Sequence, residues 1–522
     1  MNCLIPLIAS LSVVASANNS ADADSVIAAD KHNILSASFA NGTGVDNVGS
    51  LSWDNPSLMS FRKVDSECSA IGGFRSQKSS RPIVTGKGLG DRDFFLHADA
   101  YIHSGKNSTV WGSAAYDNGK QLSPLWNESG EYDRIFPYLI ADSIGGDLSR
   151  ERYSFSGGYA HVGNRILWGV EGGYTAVLSY RRVDPRPRNV SGDLILKGGL
   201  AYRFFNDYTA GISLRYNRFR LSTDITFVNE TGETKLFHLT GLGSHYVRFD
   251  GAGSSVFNDC HTGGITLNLL PVKGKGAFVN LDMSLMNMRH VIADINRLPL
   301  TALNDKSLKL QAGYKKTPAD KEAGFNYALW GEWSASRRHG TENIFGDPTS
   351  GSYPQIGSLT LYADNIYGGS VSAFTSWTNR RFSISLLPVA GWSHQRIVHL
   401  SDNRQWLDEH LTLALDASTS LMTSKNSLLS VSAALSALIP TSSGLILPEP
   451  GTAPEDKALY DLTKADFEAA TSSSVTLKIG AQWLRMFSHR LAAGLSAGYI
   501  HSSVSNGIKS DGFNIGIIVK FI

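Results

Sequence analysis

The sequence is short of charge. Charged residues make up 18% of its 522 residues, whereas soluble domains carry roughly a quarter. The formal net charge is only +2, and there is no run of lysine and arginine that would follow a phosphate backbone. These absences argue against nucleic-acid binding. The 51 glycines and the 10% of aromatic residues instead suit a surface that meets lipid on one side and water on the other.

Long apolar runs are missing beyond the first residues. Past residue 17, no uninterrupted run reaches the roughly 18 residues that a membrane-spanning helix needs. The N-terminus has an apolar stretch, Leu4 to Val14, followed by Ala15-Ser16-Ala17, which has the A-x-A form of a cleavage site. We expect residues 1–17 to be a signal peptide, although no lysine or arginine precedes the apolar stretch. The secreted chain would begin near Asn18.

Cysteine is scarce, with three in the whole chain. Cys3 lies in the predicted signal peptide. Cys68 and Cys260 could form one disulfide in an oxidising compartment, but nothing in the sequence brings them together. The pairing therefore stays open.

Apolar and polar residues alternate with period two over many segments. From Leu194 to Phe204 one face is apolar and the other carries Lys197 and Arg203, and the pattern recurs from Ala277 to Leu285. The last segment, Phe513 to Phe521, alternates in the same way and ends in an aromatic residue, as outer-membrane barrels do, although Ile522 follows it. Strands of this kind are typical of barrels that are apolar outside and polar inside. A secreted β-sandwich or propeller is the alternative.

The connections alternate between short and long. Short links are predicted near residues 105, 163, 207, 273, 318, 379, 426 and 488, with longer polar stretches at 76–92, 118–152, 180–192, 219–261, 287–306, 337–368, 396–408, 439–471 and 501–510. The predicted fold is all-β: a transmembrane, antiparallel, up-and-down β-barrel of about 18 strands, in a range of about 14 to 18. We expect a periplasmic N-terminal segment over 18–60 and the barrel over 61–522.

Charged residues in the inward phase of the predicted strands are candidates for lining the lumen, because a charge facing lipid costs roughly 2 to 4 kcal/mol at mid-membrane. They are Glu171, Lys197, Arg203, Arg215, Asp282, Lys309, Glu332 and Lys478. A predicted outer loop also concentrates four guanidinium groups, which suit carboxylate or phosphate. These candidate anion contacts are Arg181, Arg182, Arg186 and Arg188.

Several segments resemble known barrels. Tyr153 to His161, Asp184 to Pro187 and His238 to Gly243 together resemble an uncharacterised family of Bacteroidota-type outer-membrane β-barrels. The resemblance implies a secreted barrel without an assigned substrate, sometimes encoded beside TonB-dependent uptake systems, including ones for iron or haem. Asp54-Asn-Pro-Ser-Leu58 is also similar to the Asn-Pro-Ala segment of fatty-acid-channel barrels, with Ser57 in place of alanine.

Two patterns raise chemistry as an alternative. His501 and Ser503 are two residues apart, so they share one strand face, and outer-membrane lipases and deacylases use a similar His-x-Ser arrangement. Asn506-Gly507 favours an ordinary turn at the same place. Cys260-His261, with His238 and His245, would ligate a metal or haem iron only if the long loop folded back, and the spacing is irregular. Gly86 to Gly90 lacks the spacing of a phosphate loop.

The expected function is that of an outer-membrane transport or passive-diffusion channel, since a barrel of this size can leave an aqueous lumen. The alternatives are a non-conducting binding or accessory component of a TonB-dependent uptake system and a lipid-modifying enzyme. We expect no enzymatic activity and no catalytic, cofactor or metal site. Expected partners are membrane lipid, lipopolysaccharide and the barrel-assembly machinery. In the binding or accessory alternative, aromatic residues of the long segments would cap or plug the pore: Trp126, Phe136, Phe227, Phe237, Tyr246 and Phe249.

Overall fold

A computed structural model of the chain describes residues 34–41, 48–62, 66–105, 107–204, 207–229, 234–272, 274–316, 324–349, 351–379 and 381–522. The predicted signal peptide lies outside the described residues. The described strands are β1 (Glu67–Ser79), β2 (Gly90–Ser104), β3 (Ser108–Leu122), β4 (Leu139–Ala141), β5 (Leu148–Val162), β6 (Ile166–Tyr180), β7 (Arg186–Phe204), β8 (Tyr208–Thr226), β9 (Phe237–Gly241), β10 (Ser244–His245), β11 (Ser255–Pro271), β12 (Lys275–Ile292), β13 (Leu298–Lys316), β14 (Gly324–Phe345), β15 (Gln355–Thr378), β16 (Phe382–His399), β17 (Arg404–Ser424), β18 (Ser427–Ile446), β19 (Ser474–Ser488), β20 (Leu491–Val504) and β21 (Lys509–Phe521).

Eighteen of these strands form one closed antiparallel barrel. Each barrel strand pairs with its neighbours in the chain, and β1 closes the sheet by pairing with β21, Cys68 opposite Phe521 and Ser79 opposite Ser510. Closure leaves no unpaired edge, which is what allows a sheet to span lipid. The predicted fold class and strand number are confirmed.

The two ends of the barrel differ. At one end the strands are joined by short links, such as those between β5 and β6 and between β19 and β20. At the other end the links are longer, up to the segments between β3 and β5, β8 and β11, and β18 and β19. We call these the short-turn end and the long-loop end. The predicted short links all fall at the short-turn end.

The long strands correct the predicted loops. β14 has 22 residues and β15 has 24, far more than the roughly 10 that cross a bilayer. Much of 337–368 and the first part of 219–261 is therefore strand. Where the wall rises above the lipid both faces meet water or packed loops, so apolar alternation no longer marks the strand.

The outward face is apolar, as β7 shows. Val190, Leu194, Leu196 and Leu200 are all exposed on its outer face. Residues of the opposite phase, such as Ala201, are buried inside. The alternation that predicted the strands is therefore the alternation between the lipid side and the lumen.

Helices and the small sheet lie against the inner face of the barrel. The helices are α1 (Ile34–Asn41), α2 (Tyr132–Ile135) and α3 (Pro454–Ala470), and short 3-10 turns cover Ser50–Asp54, Pro56–Phe61, Thr85–Lys87 and Val247–Phe249. β4, β9 and β10 form a three-stranded sheet at the long-loop end. Within the described ranges, no helix is both long and apolar enough to cross a membrane. Cys68 and Cys260 are free thiols, so the disulfide that the sequence left undecided does not form between them.

Candidate functional site

The segment before the first strand fills the lumen at the short-turn end. The prediction placed the barrel from residue 61, whereas β1 begins at Glu67 and residues 50–61 form two 3-10 turns. Asn55 joins these turns and is fully buried. Its side-chain oxygen accepts hydrogen bonds from the Ser57 amide at 3.0 Å and hydroxyl at 2.7 Å, and its amide nitrogen donates to Asn268 at 3.0 Å. We call residues 48–62 the inner plug.

Three glycines on consecutive strands make the socket for the inner plug. A Cβ at Gly199 would collide with the Asn55 side-chain oxygen. A Cβ at Gly169 would lie 2.5 Å from the carbonyl group of Pro56, and one at Gly211 would lie 2.8 Å from the Asn55 side-chain nitrogen. The missing side chains on β6, β7 and β8 therefore create the space that the Asn-Pro step occupies.

A row of side chains continues from the plug around the wall. Asn268 donates to Asn280 at 2.9 Å, Asn280 to Gln311 at 3.0 Å, and Gln311 to Glu332 at 2.7 Å. Ser52 of the plug also donates to Asn280 at 3.0 Å. The row links the plug to four successive strands, β11 to β14, and its members Asn268, Asn280 and Gln311 are buried, where unpaired polar groups are costly.

On the other side of the plug the contacts are ionic. Lys197 lies 3.0 Å from Glu171 and 3.5 Å from Asp54 of the plug. The Trp111 indole donates to Glu171 at 3.1 Å. The guanidinium of Arg203 stacks on the ring of Phe61 with 5.6 Å to the centroid. Three residues predicted to line the lumen therefore hold the inner plug or its supports.

The remaining candidates also lie on the inner face. Arg215 pairs with Asp282 at 3.3 Å. Glu332 ends the side-chain row, Lys478 is buried on β19, and Lys309 is exposed toward the lumen. The structure thus places all eight predicted residues in the inward phase, and four of them, Glu171, Lys197, Arg203 and Glu332, belong to the plug and its network.

One inner cluster was missed by the sequence analysis. Arg75 binds Asp93 and Asp117, each at 3.1 Å, and Arg150 binds Asp93 at 3.2 Å. His97 also contacts Asp117 at 3.1 Å. The alternation of Asp93 and His97 with apolar Phe94 and Leu96 was the available signal. Of these residues only Arg150 lies in a segment that was assigned to a loop, 118–152.

Loops close the long-loop end from within. The small sheet packs on the inner wall, where Tyr138 and Tyr362 are buried. Arg338 of β14 donates to the backbone carbonyl of Phe136 at 3.0 Å and pairs with Asp305 at 3.1 Å. These contacts place residues of the long loops inside the mouth of the barrel. We call β4, β9, β10 and α3, with the segments around them, the outer cap.

Helix α3 is fastened to the loop between β1 and β2. Asp466 accepts hydrogen bonds from the Thr85 amide at 2.9 Å and hydroxyl at 2.6 Å. Burial raises the pKa of Asp466 to about 7, although the bonds from Thr85 lower it. At its other end, α3 contacts β10, where His245 lies 3.2 Å from Asp456. The helix is therefore held by polar contacts at both ends, and Asp466 makes one of them.

A cavity of about 480 Å³ opens beside the outer cap. Its charged and polar lining comes from the outer cap and the barrel wall: His245, Arg248, Glu342, His399, Arg404 and Tyr460. His399 and Glu342 are 3.0 Å apart. The mixed charge suits a small polar solute better than a purely apolar one.

The predicted arginine loop is corrected. Arg181 is buried and lies 2.7 Å from Glu128 of the long segment between β3 and β5, so it makes no outer contact. Arg186 and Arg188 belong to β7 rather than to a loop, and Arg186 pairs with Asp184 at 2.6 Å. Arg182 and Arg188 are exposed. The loop itself is short because the strand continues above the apolar band.

The structure does not assemble either of the two chemical sites that the sequence raised as alternatives, the His501 and Ser503 pair and the Cys260 and His261 set. His501 contacts Asp511 at 2.8 Å, but the Ser503 hydroxyl makes no hydrogen bond to His501. Cys260 is buried inside, whereas the adjacent His261 points outward to Tyr216. Adjacent residues of a strand face opposite sides, so these two cannot share an ion. The described residues contain no group of three or more His, Cys, Asp or Glu side chains that could hold a metal.

Several solved structures have a similar barrel fold. A double mutant of the ferric enterobactin receptor PfeA from Pseudomonas aeruginosa has a TM-score of 0.37 and 9% identity, with 88% of this chain and 81% of that chain covered. The ferric-catecholate import receptor Fiu from E. coli K12 gives 0.37 and 9%, covering 88% and 82%. BauA, the ferric preacinetobactin receptor from Acinetobacter baumannii, gives 0.35 and 9%, covering 86% and 80%. The comparison concerns the barrel fold alone.

Sequence comparison gives the family. None of the curated proteins matches this chain. A family profile described as "Family of unknown function (DUF6850)" matches residues 56–521, from the inner plug to the last strand. The chain is an outer-membrane-type β-barrel and belongs to the DUF6850 family.

Proposed function

We propose that this protein is a gated transport barrel of the outer membrane, closed at rest by the inner plug and the outer cap. The long-loop end faces outward and the short-turn end faces the periplasm, as in barrels of this class. The barrel-assembly machinery inserts the chain, and a small polar solute enters through the cavity beside the outer cap. The observation that carries the proposal is Asn55, fully buried in a socket of three glycines.

The socket favours a gate over a permanent wall. The plug is held by hydrogen bonds and ion pairs across a polar lumen, together with a small apolar cluster that includes Val48, Leu58 and Phe278. Polar groups released from such contacts are solvated by water that enters the lumen, so opening costs less than unfolding a dry core. An always-open diffusion pore, the simplest form of the first expectation, is not supported by a lumen occupied at both ends.

Single-channel conductance in a planar bilayer tests the proposal. The refolded wild-type barrel is expected to be closed for most of the time. A double variant, Asn55→Ala with Asp466→Ala, loosens both closures and is expected to open far more often. Gly198→Val, on the outward face where a side chain meets nothing within 4 Å, is the matched control and should stay closed. Continuous conductance by the wild type would contradict the gate.

A second candidate is a non-conducting binding component of an uptake system, such as the TonB-dependent systems that the resemblance raised. The cavity of about 480 Å³ beside the cap favours it, because Arg248 and Arg404 in its lining can bind an anionic solute without transport. Ligand binding by a double variant that never conducts would favour this role. Conductance that rises when both closures are loosened would favour the gate.

A further inference from the structure

Four cations lie on consecutive strands on the outward face at the long-loop end. They are Lys509 of β21, Lys78 of β1, Arg92 of β2 and Lys120 of β3, and all are exposed. We call them the basic rim. Arg92 has the same phase as Phe94 and Leu96, which are each 51% exposed on the outer face. The rim therefore stands where the apolar outer surface ends, at the height of lipid headgroups.

The centre of the rim is an unfavourable pair. Arg92 and Lys120 are direct cross-strand partners, and like charges in that position repel. Among the residues that the structure describes, neither cation has an ion-pair partner. The nearby carboxylates Asp91 and Asp93 belong to the inward phase, where both bind Arg150. The repulsion is therefore not relieved by the protein itself.

Two carboxylates share the outward face with the rim, and both have other partners. Glu151, opposite Asn118, accepts a hydrogen bond from the Tyr153 hydroxyl at 3.4 Å. Asp511, opposite Lys78, accepts hydrogen bonds from Tyr499 at 2.7 Å and contacts His501 at 2.8 Å. The rim keeps an excess of positive charge.

Aromatic rings lie directly toward mid-membrane from the pair. Tyr116 and Tyr153 pack with 4.9 Å between ring centroids, and Tyr153 is 42% exposed. Amphipathic rings at this height contact the boundary between headgroup and acyl chains. The combination of paired cations above exposed rings fits a ligand with an anionic head and an apolar body.

We propose that Arg92 and Lys120 bind a phosphate group of a phosphorylated glycolipid in the outer leaflet, with the Tyr116 and Tyr153 rings against its lipid portion. The inference rests on the proposed outer-membrane orientation. Guanidinium binds two phosphate oxygens at once, and the lysine ammonium adds a point charge. The bound phosphate removes the repulsion between the two cations. The sequence analysis gave the role of anion contact to the arginines near residue 181, but Arg181 is buried. The pair Arg92 and Lys120 is proposed for that role instead.

Binding of lipid A to the purified full-length barrel in detergent tests the site. The probes are diphosphorylated lipid A, the same lipid without phosphates, and inorganic phosphate. Arg92→Gln with Lys120→Gln is expected to weaken binding of diphosphorylated lipid A about tenfold or more, as loss of two charge-assisted contacts implies. The matched control is Lys275→Gln with Lys316→Gln, a cross-strand lysine pair at the short-turn end, which should bind as the wild type does.

Each outcome decides the matter. Unchanged affinity in the Arg92 and Lys120 variant, or an equal loss in the control, would overturn the site. Equal binding of the lipid without phosphates would overturn the phosphate assignment, and displacement of lipid A by an equal concentration of inorganic phosphate would overturn the lipid. Heat-modifiable gel mobility shows that each variant has folded. Since lipid binding is read without conductance, a failure here is distinct from a failure of the gate.

Discussion

Glu67 and Lys520 form a buried ion pair, 2.6 Å apart, that joins the first barrel strand to the last. Both side chains point inward beside α1, and the Ser38 hydroxyl of that helix lies 3.4 Å from the Glu67 carboxylate. The pair therefore fastens the closing seam of the barrel and the N-terminal helix at one point.

Removing one partner of this pair should destabilise the barrel. Lys520→Met leaves the Glu67 carboxylate buried without its cation, which typically costs about 3–5 kcal/mol. The folded band in heat-modifiability gels measures the fraction of folded barrel. We expect the denaturant concentration at which half of this band is lost to fall clearly. The double variant, Glu67→Gln with Lys520→Met, should recover part of the loss. Lys425→Met, in an exposed turn, is the control, and an equal fall there would contradict the seam's importance.

Filling the socket should release the inner plug. Gly199→Val places a side chain where Asn55 now lies, so the plug must move while the strand register is kept. We expect more frequent channel opening in bilayers and faster proteolysis between residues 48 and 62. The neighbouring Gly198→Val has open space on the outer face. Equal behaviour of the two variants would show that the plug does not close the lumen.

Docking of α3 should depend on pH through Asp466. Burial raises its folded pKa to about 7, above the ordinary value of 3.8 for this side chain, so the folded chain binds an extra proton between these pH values. The docked state is therefore favoured at low pH, and that advantage declines as the pH rises from about 4 to 7. We expect amide exchange in α3 to be slower, after correction for intrinsic rates, at pH 5 than at pH 8. 

The effect should belong to Asp466 alone. Asp466→Asn keeps an oxygen for Thr85 but no longer titrates, so the difference between the two pH values should shrink. Asp461→Asn, on an exposed position of the same helix, should keep it. An unchanged pH dependence in the Asp466 variant would assign it to another group.

Loosening the outer cap should expose a native thiol. A side chain at Gly340 would collide with the Tyr138 hydroxyl, and Cys260, only 1% exposed, lies in the same buried cluster as Tyr138. We expect Gly340→Val to speed maleimide labelling of the Cys260 peptide, measured by mass spectrometry. Gly357→Val, whose nearest contact is 3.9 Å away, should label at the wild-type rate. Slow labelling in both variants would mean that the cap tolerates the change.

The alternation in β7 and β12 was enough to predict a barrel because one face must be apolar in lipid. It also placed Lys197 and Asp282 on the inner face, since the same phase that exposes leucine to lipid sends charge inward. The strand ends above the apolar band could not be predicted this way. In β15, the inner face there packs on the outer cap, where Tyr362 is buried, while the outer face is no longer held to an apolar pattern by lipid, so an apolar period of two does not mark the strand.

The closures were harder to predict than the wall. Asn55-Pro-Ser was noticed as a short similarity, but its meaning depends on Gly169 and Gly199, which are cross-strand partners on β6 and β7. Both are distant from Asn55 in sequence and contact its segment only when that segment enters the barrel. Arg181 was misassigned for a related reason. Its partner Glu128 arrives from another long segment, and nothing local in the sequence distinguishes a buried arginine from an exposed one.

The side-chain row from Asn55 to Glu332 runs in one direction, with each amide donating to the next oxygen. When the inner plug leaves, Asn268 loses the donor that now satisfies its oxygen, and Asn280 loses the Ser52 hydroxyl. Because hydrogen bonds in a row polarise one another, we expect these losses to weaken the bond that Gln311 donates to Glu332. The surroundings of this carboxylate on β14 would then differ between the plugged and the unplugged barrel, although Glu332 itself does not touch the plug segment beside β7 and β8.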